Sequence, residues 1–224
     1  HNQRAPSEVE LFADGVHIAT AAYETGDIDL DTEKVTTLEG TAHYDRGRLS
    51  GDLHLYHSWY DGFIDERATG EEFLFEEEDE LFPVYQFVQT DARFYGFEVE
   101  GAYALWEDGD RKLSLEGAAD YVRAETDLGP AARIPPWSAT GRLAWTTARY
   151  DASVEVRHVG EQDRVANDFE LPTDSYTLLN LAAAVRPFSD RNVTVFAEAR
   201  NLTDEEAREH ASFLKDIAPL PGRN

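Results

Sequence analysis

The fold class that this 224-residue sequence predicts is all-β, with the antiparallel up-and-down strands of a transmembrane β-barrel. Three observations predict it. Apolar and polar residues alternate along most of the chain, short and long connections alternate between these segments, and aromatic residues gather near the segment ends. Together they indicate about eight strands.

The alternation of apolar and polar residues has a period of two, which is typical of a strand with one apolar and one polar face. Leu53 and Leu55 fall on one face of their segment, whereas Asp52 and His54 fall on the other. Apolar faces of this kind suit lipid or the core of a soluble sandwich equally, so periodicity alone does not say which face is wet. We predict strands near residues 34–44, 49–64, 85–105, 112–124, 138–146, 150–160, 175–186 and 192–201.

The connections between these strands differ in length. The links at 45–48, 106–110, 147–149 and 187–191 are tight turns, whereas 65–84, 125–137, 161–174 and 202–224 are long, polar and acidic. Outer-membrane barrels have short turns on the periplasmic side and long loops outside the cell, and the alternation favours that architecture. Residues 203–215 are the one helical candidate, with Thr203 as its cap, and they would equally suit a loop.

Aromatic residues near the predicted strand ends are typical of the two belts that flank a membrane-spanning barrel. The alternative is that Trp and Tyr are simply common in strands. The residues concerned are Tyr44, Trp59, Trp106, Trp137, Trp145, Tyr150 and Tyr176.

Composition excludes several classes of protein. The chain has 45 acidic and 20 Lys or Arg residues, and its net charge of -25 argues against nucleic acid as a partner. Cysteine is absent, which excludes disulfides and thiolate metal sites. Without an apolar run of about 18 residues, no transmembrane helix is predicted. The lack of methionine and of a leader-like opening predicts a processed chain or a fragment.

One acidic segment, "EEFLFEEEDELF", places seven carboxylates around five large apolar residues. We predict that it is the tip of a long extracellular loop, anchored by Phe73, Phe75, Leu81 and Phe82. Its carboxylates would lower the local potential and attract cations, and as hard oxygen ligands they suit Ca²⁺. Plain solvation is the alternative. The acidic residues are Glu71, Glu72, Glu76, Glu77, Glu78, Asp79 and Glu80.

Several segments, in this order along the chain, resemble the C-terminal part of the barrel of TonB-dependent outer-membrane receptors. They are "RAP" (4–6) with "ELFADGVHIAT" (10–20), "YETGD" (23–27), "ARFYGFEVEGAY" (92–103), "RIPPW" (133–137) and "NLTDEEAREHASFLKDIAPLPGR" (201–223). The resemblance implies that residues 1–224 are part of a barrel of twenty-two strands, without the family's plug domain, early strands and closing strand. The alternative is that these strands close on themselves as a smaller barrel.

Such receptors are not enzymes: they bind a scarce ligand outside the cell and import it when the TonB complex acts on the plug. The resemblance therefore implies TonB, outer-membrane lipid and a small-molecule or metal ligand as partners, and no required cofactor. The segment "GVHIAT" resembles the zinc-uptake branch, and Zn²⁺ accepts imidazole and carboxylate ligands. The predicted ligands, from two extracellular loops, are His17, Glu24, Asp27 and His210.

Other candidate sites carry less weight. His54 with Asp52, and His158 with Glu161 and Asp163, could pair, but acids beside a histidine are expected in so acidic a chain. The hydrolase, zinc-protease and nucleotide-binding motifs GxSxG, HExxH, P-loop and GxGxxG are absent. The rival to a receptor is a soluble all-β binding module that uses an acidic face for Ca²⁺ or a basic partner.

Overall fold

The computed structural model describes residues 1–76, 79–167, 169–215 and 217–224. Within these residues the chain forms twelve strands and one short helix. In chain order they are β1 (Asn2–Arg4), α1 (Glu8–Phe12), β2 (Asp14–His17), β3 (Ala22–Thr25), β4 (Glu33–Arg46), β5 (Leu49–Phe75), β6 (Glu80–Asp108), β7 (Arg111–Thr126), β8 (Gly129–Pro130), β9 (Ser138–Thr146), β10 (Tyr150–Val159), β11 (Tyr176–Val185) and β12 (Val195–Ala199).

The twelve strands form a single sheet, whose main path has the order β1-β4-β5-β6-β7-β9-β10-β11-β12. From β4 onward each long strand pairs antiparallel with the next one in the chain, which is an up-and-down meander. This confirms the all-β prediction and its eight predicted strands, with changes in length. The sheet is open rather than closed, because no pairing joins β12 to β1 or β4 in the described residues.

One face of the sheet is apolar and lies open to the surroundings. Leu55 of β5 faces Phe97 of β6, which in turn faces Tyr121 of β7. Leu55 is 50 % exposed and Phe97 is 36 % exposed, although both are large and apolar. Their neighbours on the other face, such as Glu98 and Asp120, are polar. The register therefore produces the two-faced sheet that the period-two alternation predicts.

Aromatic residues stand at both ends of this apolar face. At the short-turn end Trp106 and Trp145 stack with ring centroids 5.5 Å apart. Towards the long links His57 stacks with Tyr95 at 5.7 Å. Tyr176 was predicted to belong to such a belt, and this is wrong: it is 3 % exposed and packs with Val159 and Ala207. No helix in the described ranges is long and apolar enough to cross a membrane.

The prediction of a loop at 65–84 is wrong. Strands β5 and β6 continue through most of it and remain paired as far as Phe75 and Glu80. Across this ribbon Phe73 faces Phe82 and Leu74 faces Leu81, and cross-strand apolar pairs of this kind stabilise a strand pair. Fifteen further residue steps carry β5 from Tyr60 to Phe75, or about 50 Å at the usual strand rise.

The N-terminal residues form elements that the predicted strands do not include. Ser7 and Glu10 form a capping box that starts α1, in which Ser7 N–H donates to Glu10 Oε2 at 2.6 Å. Arg4 binds Glu10 at 2.7 Å and Glu33 at 3.2 Å, which joins α1 to β4. Strand β3 then pairs in parallel with β6, with Glu24 opposite Tyr85. The N-terminal segment is thereby fixed to the base of the long ribbon.

The helix considered at 203–215 is absent from the described residues, and the loop alternative is correct. Asp204 has a φ of 59°, a left-handed conformation that does not start a helix. Asn201 instead organises the loop, since its Oδ1 accepts from Glu205 N–H at 2.8 Å and its Nδ2 donates to Glu205 O at 2.8 Å. The loop closes over Tyr176, whose hydroxyl donates to Glu209 at 2.9 Å.

Candidate functional site

The end of the sheet that carries the long links, called here the long-link end, contains a polar cavity. Its volume is about 200 Å³, and it lies between the N-terminal segment, the β5–β6 ribbon and the links that follow β8, β10 and β12. Three acidic and two basic side chains line it together with Phe213. These charged residues are Glu24, Glu66, Arg133, Glu170 and Lys215.

Glu170 is the best-connected carboxylate of the cavity and is only 8 % exposed. Its Oε1 accepts from Arg133 N–H at 2.7 Å, and its Oε2 accepts from Ala166 N–H at 2.8 Å. His210 Nε2 lies 3.1 Å and Lys215 Nζ 3.7 Å from Oε1. We call Glu170, Arg133, His210 and Lys215 the Glu170 cluster. It connects three separate links, so these links are held to one another through a single carboxylate.

The electrostatics of Glu170 reflect these contacts. Burial by itself raises the pKa of the carboxyl, but hydrogen bonds from His210 and from the backbone N–H groups of Ala166 and Arg133 outweigh burial. With the nearby charge of Lys215, they lower the pKa of Glu170 from 4.5 to about 2. Glu170 is therefore a stable anion at the centre of the loop assembly.

Arg133 joins the Glu170 cluster to the ribbon. Its Nη2 donates to Glu66 Oε2 of β5 at 3.0 Å, and its guanidinium lies 3.7 Å from the ring centroid of Phe213. The backbone of Arg133 has a φ of 57°, which is uncommon for a residue with a side chain. The contacts on both sides of the residue hold it in this conformation. Arg133 thus orients one wall of the cavity.

The predicted residues His17 and Glu24 form a contact at the edge of the cavity, where Glu24 belongs to the lining and His17 does not. His17 Nδ1 lies 2.7 Å from Glu24 Oε1, and Thr20 Oγ1 donates to the same oxygen at 3.3 Å. The side chain of His17 is 54 % exposed, whereas that of Glu24 is 13 % exposed and reaches the cavity. A short β2–β3 hairpin, in which Gly15 faces Glu24, brings the two residues together.

The other two predicted residues lie elsewhere. His210 is 2 % exposed, and its Nδ1 contacts Thr173 Oγ1 at 2.9 Å while its Nε2 contacts Glu170. Asp27 lies outside the cavity lining, and its Oδ1 accepts from Asp29 N–H at 2.9 Å. The four residues therefore divide into an exposed His17–Glu24 pair, a buried His210–Glu170 pair and a turn aspartate. In the described part of the chain, no group of three or more His, Asp or Glu side chains is placed to hold a metal ion.

The two lesser histidine candidates have other partners than those considered. His43, not His54, contacts Asp52, with Nδ1 2.7 Å from Oδ1. His54 Nε2 lies 3.9 Å from Glu39 Oε2. His158 contacts Thr177 Oγ1 at 2.9 Å. These contacts join neighbouring strands across the sheet.

The acidic segment lies at the far end of the β5–β6 ribbon. Glu71, Glu72, Glu76, Asp79 and Glu80 are exposed there, whereas Glu77 and Glu78 lie outside the described residues. Phe82 is 4 % exposed, and the Phe73 ring lies 4.4 Å from the Tyr23 ring. Phe73 thus contacts the N-terminal segment and Phe75 stacks with Phe82, whereas Leu81, which was predicted to anchor the segment, is 58 % exposed. The described acids are exposed to water.

Sequence reasoning missed most of the cavity lining. Glu170 stands alone between Phe169 and Leu171 in a polar link, where nothing in its local pattern distinguishes it from other acids. Lys215 and Phe213 fall within the segment considered as a helix. Arg133 opens "RIPPW", where the two prolines could have pointed to a constrained loop.

Comparison with known proteins agrees with this architecture. Residues 1–202 match the family described as TonB dependent receptor-like, beta-barrel. Among solved structures, the copper transporter OprC superposes with a TM-score of 0.80 and 22 % identity, over 99 % of this chain and 34 % of that one. The siderophore receptor PirA from Pseudomonas aeruginosa has a TM-score of 0.63 and 18 % identity, over 99 % and 36 %.

A third structure, the ferric-catecholate import receptor Fiu from K12 E. coli, has a TM-score of 0.62 and 15 % identity, over 99 % of this chain and 30 % of that one. At these identities the superpositions show a shared fold. The chain spans about a third of the length of the solved receptors that it matches.

Proposed function

This chain belongs to the TonB-dependent receptor β-barrel family, and from that premise we propose that it forms part of a receptor that imports a scarce extracellular ligand. Members of this family are transporters of the bacterial outer membrane and are not enzymes. The apolar face of the sheet then faces lipid and the polar face lines the barrel. The long-link end lies outside the cell, as is usual for such barrels.

The cargo that we propose is zinc or a small metal chelate, and the observation that supports it is the His17–Glu24 pair at the cavity. Glu66 and Glu170 each contact a cationic side chain, whereas the ionisable partner of Glu24 is a histidine. Imidazole and carboxylate are ligands that Zn²⁺ accepts. This segment has neither Cys nor Met, so it would offer no soft sulfur ligand to Cu⁺.

Three His, Asp or Glu ligands do not converge in the described residues, so a zinc ion would need further ligands from elsewhere in the receptor or from the chelate. We propose that His17 and Glu24 act as an entry contact for the cargo. The buried His210 then serves to shape the cavity wall rather than to bind the cargo.

The experiment is uptake of radioactive zinc by cells that express the full receptor with His17→Ala and Glu24→Gln combined. We expect uptake at limiting zinc to fall several-fold and to recover at high zinc, because a lost entry contact lowers affinity. His43→Ala is the matched control, since His43 also contacts a carboxylate at 2.7 Å on an exposed surface. Equal uptake by the double variant and wild type at limiting zinc would contradict the proposal.

We further propose that the acidic ribbon tip raises the local concentration of cations, including Ca²⁺, near the receptor mouth. The support is the exposure of Glu71, Glu72 and Glu76 together in a chain of net charge -25. Coupling to the TonB complex is proposed from family membership. The soluble alternative, an acidic binding module, finds no support in the fold, because a soluble protein rarely leaves such a continuous apolar sheet face uncovered.

A further inference from the structure

The lipid-facing side of the sheet carries a group of arginines that lies outside the cavity and has no part in the proposed transport function. Arg123 and Glu125 of β7 lie on the same face as Tyr121, and Arg93 of β6 is the direct partner of Glu125 in the ladder. Arg164, from the link after β10, reaches the same carboxylate with its Nη2 3.1 Å from Glu125 Oε1. Arg123 Nη2 lies 2.9 Å from that oxygen. Two guanidiniums therefore contact one carboxylate, and a third arginine, Arg93, is its partner in the strand ladder.

The height of this group relative to the membrane follows from the strand geometry. Along β6, eleven residue steps separate Trp106, at the short-turn end, from Tyr95, the cross-strand partner of Arg123. At the usual rise and tilt these steps span about 25–30 Å along the membrane normal, close to the thickness of a barrel's apolar band. Arg123 thus lies at the outer boundary of the lipid tails, and Arg93 lies two residues further out.

A shallow depression of about 90 Å³ lies beside the arginines. Tyr121, Ile134, Pro135 and Trp137 form its apolar part, and Arg123 and Arg164 form its cationic part, with Glu161 at the rim. The arginine side chains remain about a third exposed in spite of their contacts with Glu125. An apolar floor next to guanidiniums, at the height where lipid tails meet headgroups, matches an amphiphile with an anionic head.

The patch has a net positive charge although the chain as a whole is strongly acidic. Arg93, Arg123 and Arg164 against Glu125 and Glu161 give +3 and −2, a net charge of +1, whereas the whole chain has -25. Guanidinium is the side chain that best matches a phosphate, because it can donate two parallel hydrogen bonds. We propose that Arg93, Arg123 and Arg164, with the Tyr121–Trp137 depression, bind the phosphate of an outer-leaflet lipid headgroup. The proposal rests on the outer-membrane placement of the barrel and not on the cargo.

The test measures binding of lipid A, whose glucosamine head carries phosphate monoesters, to the full receptor in nanodiscs of neutral phosphatidylcholine. The variants are Arg123→Gln with Arg164→Gln, and the matched control is Arg191→Gln, an exposed arginine at the short-turn end. Loss of a surface arginine weakens binding of an anionic lipid about five-fold. We expect the double variant to bind lipid A at least ten-fold more weakly, and the control to bind as wild type does.

A second variant separates lipid binding from a structural role of the ion pairs. Glu125→Gln removes the carboxylate that competes for the guanidiniums, so it should strengthen lipid A binding. If Arg123 and Arg164 serve only to hold Glu125, the same variant would instead weaken binding or leave it unchanged, and this would overturn the proposal. So would equal binding of phosphate-free lipid A, or competition by inorganic phosphate at concentrations comparable to those of the lipid.

Discussion

Two histidine–glutamate pairs, whose glutamates line the same cavity, have opposite surroundings. His17 and Glu24 are 2.7 Å apart with exposed side-chain fractions of 54 % and 13 %, whereas His210 and Glu170 are 3.1 Å apart with fractions of 0 % and 6 %. Their chemistry is the same, yet one pair lies open to solvent and the other is enclosed. Residue type therefore does not determine what such a pair does.

The number of partners explains the difference. Besides His210, Glu170 contacts two backbone N–H groups and Lys215, which come from different links. Breaking an enclosed pair leaves an uncompensated charge in a medium of low dielectric, whereas water replaces a lost partner at an exposed pair. We infer that the buried pair maintains the shape of the cavity and that the exposed pair is the one free to exchange partners with a cargo.

The largest expected effect comes from Glu170→Ala. We expect the links at 131–137 and 161–167 to lose about 3–5 kcal/mol of protection against hydrogen exchange, because Lys215 and the hydrogen-bond donors around the carboxylate would be left without it. Hydrogen exchange of the full receptor, followed by mass spectrometry, measures this protection peptide by peptide.

Glu24→Ala is the matched control, as it removes the carboxylate of the exposed pair. It should change protection of the same peptides by less than about 1 kcal/mol. If Glu24→Ala and Glu170→Ala lowered protection equally, the distinction between the two pairs would be wrong.

Acid should break the contact between His210 and Glu170 at a pH that is set by the pKa of Glu170. Its pKa is about 2 in the folded protein against an ordinary value of 4.5. The stability that ionised Glu170 contributes is therefore complete above pH 4.5 and is lost as the pH falls through about 2. Protease cleavage of the 161–174 link should increase over that window. A Glu170→Gln variant should lack this particular transition; retention of the full transition would assign it to another group.

Much of the sheet could be predicted from the sequence because its causes are local. The alternation of apolar and polar residues indicates which side of each strand faces an apolar environment. Tight turns depend on residues at the turn itself, such as Gly109, which has a φ of 62°. The ribbon within 65–84 was missed because lipid no longer requires a charge-free face there. Acids flank the apolar run from Phe73 to Phe75 on both sides, and the segment therefore resembles a loop by composition alone.

The cavity could be predicted only in part, because it depends on residues distant in sequence. Glu170 and His210 are 40 positions apart, and Arg133 and Glu66 are 67 apart. No alternation or motif relates such positions; they meet only when the links fold over the sheet end. His17 and Glu24 could be predicted because a hairpin brings them together within 7 positions.

Phe73→Ala tests whether the ribbon supports the exposed pair. The Phe73 ring contacts Tyr23, the neighbour of Glu24 in β3, with centroids 4.4 Å apart. Loss of an aromatic pair should cost about 1 kcal/mol of local stability, with faster hydrogen exchange at 14–25 and little change at 161–167. Leu74→Ala, on the opposite face of the ribbon, is the control. Equal effects of the two variants would mean that the ribbon does not hold the N-terminal segment through Phe73.

The smallest effect on stability should come from His17→Ala. An exposed ion pair contributes about 0–1 kcal/mol, so exchange rates throughout the long-link end should remain close to those of wild type. Because this variant should leave stability almost unchanged, a loss of zinc uptake could not be attributed to a collapsed cavity. Hydrogen exchange and zinc uptake should be measured on the same preparation, beside His210→Ala, which we expect to perturb both. A His17→Ala receptor that lost protection to the extent of His210→Ala would show that the exposed pair is also structural, and the comparison between the two pairs would fail.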